Sequence, residues 1–167
     1  MHLNIEIKAR TRQIDRLRQI LLAEGARLHG LDRQVDTYFR VPQGRLKLRQ
    51  GPIENSLIHY ERADQTGPKA SAVRLYHPAD GDRLRELLVQ ALGVWKVVEK
   101  QREIYFIDNV KFHLDEVAGL GTFVEIEAID ADGSLGMDHI RRQCAHYMQQ
   151  LGIATADLIE GSYSDMT

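Results

Sequence analysis

Eight short stretches of the chain alternate in character from one residue to the next, and this period of two constrains the fold more than any other feature. They span 3–10, 34–41, 45–50, 56–62, 70–77, 95–107, 111–117 and 122–129. The long sixth stretch is expected to contain a break. In the first, Leu3, Ile5, Ile7 and Ala9 share one side, and Asn4, Glu6, Lys8 and Arg10 share the other. Such alternation marks a β-strand with one apolar face. Turn-forming residues separate several stretches: Pro42-Gln43-Gly44, Gln65-Thr66-Gly67-Pro68 and Asp108-Asn109.

Three other segments repeat apolar residues at helical spacing. In 12–24 they are Ile14, Leu17, Leu21 and Leu22. In 80–92 they are Leu84, Leu87, Leu88, Ala91 and Leu92, and in 138–151 Ile140, Cys144, Tyr147, Met148 and Leu151. Thr11 is the expected N-cap of the first helix, and Gly25, Gly93 and Gly152 follow the three as stops. A further helical turn is expected near 155–159. The order β-α-β-β-β-β-α-β-β-β-α contains no linker or repeat and predicts one α+β domain over 1–167. Strands of this number, mostly joined by hairpin-length turns, can close into an eight-stranded antiparallel barrel with three or four flanking helices.

Composition narrows the reading. A chain of 167 residues can bury a core without disulfide or metal staples, and its one cysteine, Cys144, excludes an internal disulfide. A net charge of −2 supplies no general field toward nucleic acid or membrane, so neither is an expected partner. There is no signal-peptide core and no apolar run approaching the ~20 residues that cross a bilayer. A cytoplasmic location is expected. The histidines show no zinc-ligand spacing with cysteine or acids.

The second faces of the strands carry the functional signal. Any one of them could be the wet side of a sheet. If helices cover the apolar side and the sheet closes, however, the charged sides must point inward. Charges there need partners, water or an ion. They sort into a cationic set, Lys8, Arg49, Arg62, Lys100 and Arg102, with Lys47, Arg74 and Lys111 in reserve, and an acidic set, Glu6, Glu125, Glu127 and Asp115. Guanidinium groups bind phosphate oxygens bidentately, and ammonium groups act as point charges. Carboxylates repel the same phosphates unless a hard divalent cation bridges them, as Mg²⁺ commonly does. The implied ligand is a metal–triphosphate complex.

The motifs on these strands run in a definite order: N-I-E-I-K (4–8), Q-V-D-T-Y-F (34–39), G-R-L-K-L-R (44–49), H-Y-E-R (59–62), V-E-K-Q-R (98–102), H-L-D-E-V (113–117), G-L-G-T-F-V-E-I-E (119–127) and G-S-Y-S-D (161–165). Nearly end to end, the chain resembles the CYTH domain, the family of class IV adenylyl cyclases and thiamine triphosphatases, also called triphosphate tunnel metalloenzymes. The resemblance implies a closed antiparallel barrel around a charged tunnel and a Mg²⁺ or Mn²⁺ cofactor. It implies Glu6, Glu125 and Glu127 as metal ligands. Asn4 stands where the family has its first acid, and its amide oxygen can coordinate without charge. Lys8, Arg49, Arg62, Lys100 and Arg102 match phosphate-binding positions, with Lys47, Arg74 and Lys111 beside them. Asp115 matches an acid near the reaction centre that activates a hydroxyl or orients water, with Lys100 and Arg102 as catalytic cations. Asp36 and Tyr38 match a structural or lining motif, and Ser162 and Tyr163 a segment closing one mouth.

The V-E-K-Q-R and G-L-G-x-F-x-E-I runs look most like the cyclase branch, which converts ATP to cyclic AMP and pyrophosphate. Two alternatives stay open: an inorganic tripolyphosphatase or other thiamine or nucleoside triphosphatase, and a non-catalytic polyphosphate- or nucleotide-binding module. The expected partner is ATP, tripolyphosphate or thiamine triphosphate, and a homodimer is held open. His113 on the tunnel face reads equally as a hydrogen-bonded filler or a catalyst. Trp95 reads as packing, Glu61 as solvated and Arg45 as a rim residue.

Overall fold

In the computed structural model, which describes residues 1–167, every expected strand forms. They are β1 (His2–Arg10), β2 (Arg27–Phe39), β3 (Arg45–Gln50), β4 (Asn55–Arg62), β5 (Lys69–Tyr76), β6 (Val94–Ile107), β7 (Val110–Val117) and β8 (Gly121–Asp130). The helices are α1 (Ile14–Ala23), α2 (Gly81–Leu92) and α3 (Met137–Gln150), followed by 3-10 turns at Thr155–Asp157 and Tyr163–Met166. The sheet is a closed antiparallel barrel in the order β1-β5-β4-β3-β2-β6-β7-β8. Closure removes the sheet edges and turns one face of every strand inward.

The apolar parity of β1 faces outward as expected. Ile5, Ile7 and Ala9 join Phe112, Leu114, Val124 and Ile126 in a core of 16 buried residues, together with Leu17 and Leu21 of α1 and Ile140 and Cys144 of α3. At about 25 cal/mol per Å² of apolar surface, this is the main drive to fold on that side. Tyr147 of α3 meets Phe112 edge-on, 5.0 Å between ring centres. No helix is long and apolar enough to cross a membrane.

Several local expectations are corrected. β2 begins at Arg27, well before residue 34, because it pairs with almost all of β6, which therefore runs without a break. Register shifts at Leu28/Gly30 and Tyr38/Phe39 absorb the irregularity that looked like an interruption. Thr11 does not cap α1. Its hydroxyl accepts from the Gln13 N–H, and Gln13 itself is the N-cap. Leu22 of α1 is exposed. The apolar stripe of α2 is only half-buried at Leu84, Leu88 and Leu92, and Leu87 is 64% exposed. Gly93 and Gly152 do end α2 and α3, with φ of 76° and 66°, conformations open to glycine at little cost.

Candidate active site

The inward parities of the strands enclose a cavity of about 430 Å³. β1 contributes Asn4, Glu6 and Lys8, β3 Lys47 and Arg49, and β6 Lys100 and Arg102. β7 adds Lys111 and His113, and β8 Glu125 and Glu127. Register explains the grouping. In the β1–β8 pair Glu6 lies opposite Glu127 and Lys8 opposite Glu125, so this seam holds both signs of charge.

Each buried charge has a defined environment. Asp36 accepts from Nε and Nη2 of Arg49 at 2.9 and 2.8 Å and from the Lys100 ammonium at 2.8 Å. Burial alone would raise its pKa, but Arg49 and Lys100 hold it well below the usual carboxylate range. Glu125 meets Lys8 at 3.1 Å and Arg102 at 3.4 Å and accepts from His113 Nδ1 at 3.1 Å. These partners overcome burial and keep it ionised. Glu6 pairs with Arg62. Glu127 accepts only from the Asn4 amide nitrogen, at 2.5 Å. Burial and the neighbouring Glu6 and Glu125 push its pKa up, against Lys111 and Asn4.

The residues able to hold a divalent cation are Asn4, Glu6, Glu125 and Glu127. Asn4 is 1% exposed, and its amide oxygen has no hydrogen-bond partner. A buried, unpaired carbonyl-type oxygen beside carboxylates is the donor set a hard cation takes. No three His, Cys, Asp or Glu side chains converge at ligating distance, since Glu6 and Glu125 are drawn onto Arg62, Lys8 and Arg102.

Two expected site residues are placed elsewhere. Arg74 is exposed on the outside of β5, while Ser71, Val73 and Leu75 of opposite parity line the cavity. Asp115, expected near the reaction centre, is fully buried behind Arg102 and off the cavity wall. It accepts from Arg102 at 2.7 and 2.6 Å and from the Tyr163 hydroxyl at 2.7 Å. Both of its oxygens are thereby engaged, and the Arg102 guanidinium is held between Asp115 and the cavity. Tyr38 lines the cavity, Ser162 and Tyr163 form its far end, and Arg45 pairs with Asp165 there.

Among the lining residues given no role from sequence, three make contacts inside the barrel. Tyr60 and Ser56 lie on the inward parity of β4. Glu54, one step before that strand, meets Lys111 at 2.5 Å, Arg49 at 3.2 Å and the Gln34 amide nitrogen at 2.7 Å. Its signal was parity: 54, 56, 58, 60 and 62 face the same way, although the turn hid the first.

The sequence matches the CYTH domain family over residues 2–163. No curated protein matches it in sequence. Among solved structures, the chain is similar to the PH1012 protein of Pyrococcus horikoshii, at 24% identity and TM-score 0.84, covering 99% of this chain and 98% of that one. It is similar to a provisionally assigned adenylate cyclase of Vibrio parahaemolyticus, at 20% identity and TM-score 0.81, covering 98% and 97%. A Hippeastrum protein with a dominant triphosphatase activity shares the fold at 13% identity and TM-score 0.62, covering 97% and 91%.

Proposed function

Because the chain belongs to the CYTH domain family, we propose that its barrel binds a triphosphate together with Mg²⁺ or Mn²⁺ and acts on it as an enzyme. The observation that carries this reading is the cavity itself. Lys8, Lys47, Arg49, Arg62, Lys100, Arg102 and Lys111 line one cavity with Asn4, Glu6, Glu125 and Glu127. That many cations suit a polyanion, and the acids among them suit it together with a metal ion.

The preferred reaction is cyclisation of ATP to cyclic AMP and pyrophosphate. The ribose 3′-oxygen bonds to the α-phosphorus as the α–β bridging bond breaks, and pyrophosphate leaves. A bound divalent ion, held by Asn4, Glu6, Glu125 and Glu127, would neutralise phosphate charge. The protein's own groups orient the chain. Arg102, fixed by Asp115 and Tyr163, and Lys100, fixed by Asp36, stabilise charge that grows on phosphate oxygens. Preorganised donors of this kind are each worth ~10²-fold or more in rate. His113 is the one buried histidine on the wall. Its Nδ1–H faces Glu125, so Nε2, which has no partner, carries the lone pair and can receive the hydroxyl proton.

Triphosphate hydrolysis is the second reading. It is favoured by the shared fold of the Hippeastrum triphosphatase, while the amide at position 4, which leaves the seam one carboxylate short, weighs against a two-metal hydrolytic site. One experiment separates the readings. The purified protein is given ATP, tripolyphosphate or thiamine triphosphate with Mg²⁺ or Mn²⁺, and cyclic AMP, pyrophosphate and orthophosphate are measured. Cyclic AMP with pyrophosphate supports cyclisation, and orthophosphate alone replaces it with hydrolysis. Tight binding without product makes the barrel a binding module. In either active case Glu125→Gln and Arg102→Ala each lose activity by about 100-fold or more. A fully active Glu125→Gln sinks the metal assignment.

A further inference from the structure

The cavity has one closed end and one open end. At the closed end the Ser162 hydroxyl accepts from Arg62 at 2.5 Å and pairs with the Tyr60 hydroxyl at 2.8 Å. There the Tyr163 ring packs on Phe123, with the Lys8 ammonium 3.6 Å from its centre. The other end opens to solvent, since Asn55, Leu75 and His77 on its wall are exposed. Whatever is attached to a bound phosphate chain must leave through this mouth.

Glu54 stands at the mouth and is held there by a built support. Asp32, fully buried, accepts from the backbone N–H groups of Ile53 and Glu54 at 2.9 Å each. The turn presses so closely on Asp32 that a Cβ on Gly51 would lie 2.6 Å from its Oδ1. The Glu54 carboxylate is thereby fixed on Lys111 and Arg49, two of the cations that face the cavity. It is a protein anion in the place where the outer end of a phosphate chain would rest.

We propose that Glu54 sets the class of substrate: it admits triphosphate monoesters and rejects free inorganic triphosphate. This rests on the reading of the barrel as a triphosphate site. Both ends of an inorganic chain are terminal phosphates. The outer one would bring extra negative charge against the Glu54 carboxylate and compete with it for Arg49 and Lys111. In a monoester that end is a phosphodiester-like unit with one anionic oxygen fewer, and its organic group continues outward. The wall beside Glu54 suits such a group: Ile53, Val73, Leu75 and Pro78 are apolar and line the same opening.

Methyl triphosphate isolates the ester from any recognition of a base. Its binding and that of inorganic tripolyphosphate are measured by calorimetry with Mg²⁺, on the wild-type protein and on Glu54→Gln and Glu54→Asp. The wild type should favour methyl triphosphate by about tenfold, a difference that a single unfavourable charge contact readily produces. Glu54→Gln should bring the two within about twofold, chiefly by tightening tripolyphosphate, while Glu54→Asp keeps the wild-type order. The wild-type ratio alone decides if Glu54→Gln does not fold: equal binding, or a preference for tripolyphosphate, overturns the assignment. An unchanged preference in folded Glu54→Gln also overturns it. Binding of neither compound overturns the triphosphate reading of the barrel and this inference with it.

Discussion

The two sides of the barrel wall are held by different forces. On the β1-β8-β7-β6 side, the outer face buries an apolar core under α1 and α3. On the β2-β3-β4-β5 side the outer face has only α2, whose apolar residues are at most half-buried. Leu31 of β2 and Leu87 of α2 remain exposed there. What this side does have is internal: the β-ladder, the Asp36–Arg49–Lys100 network and a small apolar cluster of Ile58, Tyr60 and Val73 on the cavity wall. The packed side is a scaffold in the ordinary sense. The thin side is organised around the ligand space, and its order depends on charges meeting inside.

That contrast can be broken by substitution. Phe112→Ala, which empties a fully buried position of the packed side, should cost about 3–5 kcal/mol in a denaturant or thermal melt. A loss below about 1 kcal/mol would mean that the helices do not carry the fold.

The inward face of the same side gives a pH signature. Burial, helped by Arg102, lowers His113 to about 4 from an ordinary value near 6.5. The folded state therefore binds fewer protons than the unfolded state between those values. Stability from this group is complete above about pH 6.5 and falls as pH drops toward 4, by about 3 kcal/mol. Melts across that window should show the slope, and His113→Gln should flatten it. The buried acids with lowered pKa, such as Asp36, lose their contribution as pH falls through and below the normal carboxylate range, whereas Glu127, whose pKa is pushed up, opposes the slope, so the His113 share is the difference between the wild-type and His113→Gln profiles.

Effects on the thin side should be smaller. Gly51→Ala forces the mouth turn away from Asp32 and should cost about 1–3 kcal/mol. Leu87→Ala on α2 should change stability by less than about 0.5 kcal/mol in the same melts. A larger loss would show that α2 is covered in solution by something the isolated chain does not provide.

Much of the fold was legible because strand alternation is local. A period of two needs no knowledge of distant residues, and it placed Glu6, Lys8, Lys47, Arg49, Lys100, Arg102, Lys111, His113, Glu125 and Glu127 on the faces that line the cavity. The same rule misplaced Arg74. On β5 the apolar parity, Val73 and Leu75, faces inward because this stretch of the cavity wall is itself apolar, and the charge is turned out. Glu54 was missed for a related reason: the Gly51-Pro52 turn interrupts the pattern just before the residue enters the barrel. The α2 stripe failed differently. Helical periodicity shows which face turns toward the sheet, not how completely the sheet covers it, and here Leu84, Leu88 and Leu92 are only half-buried.

By itself the sequence determined the eight strands, the order of the elements, the two faces of the barrel and the mixed charge of its interior, all of which follow from short-range pattern. Only the tertiary structure decided which charge meets which. Closure sets Asp115 behind Arg102 instead of in the cavity, strips the Asn4 oxygen of a partner, and brings Glu54 from a turn onto Arg49 and Lys111. Those pairings depend on strand register and on groups far apart in the chain, and electrostatic energy at a few ångströms is settled by distance, which sequence pattern does not contain.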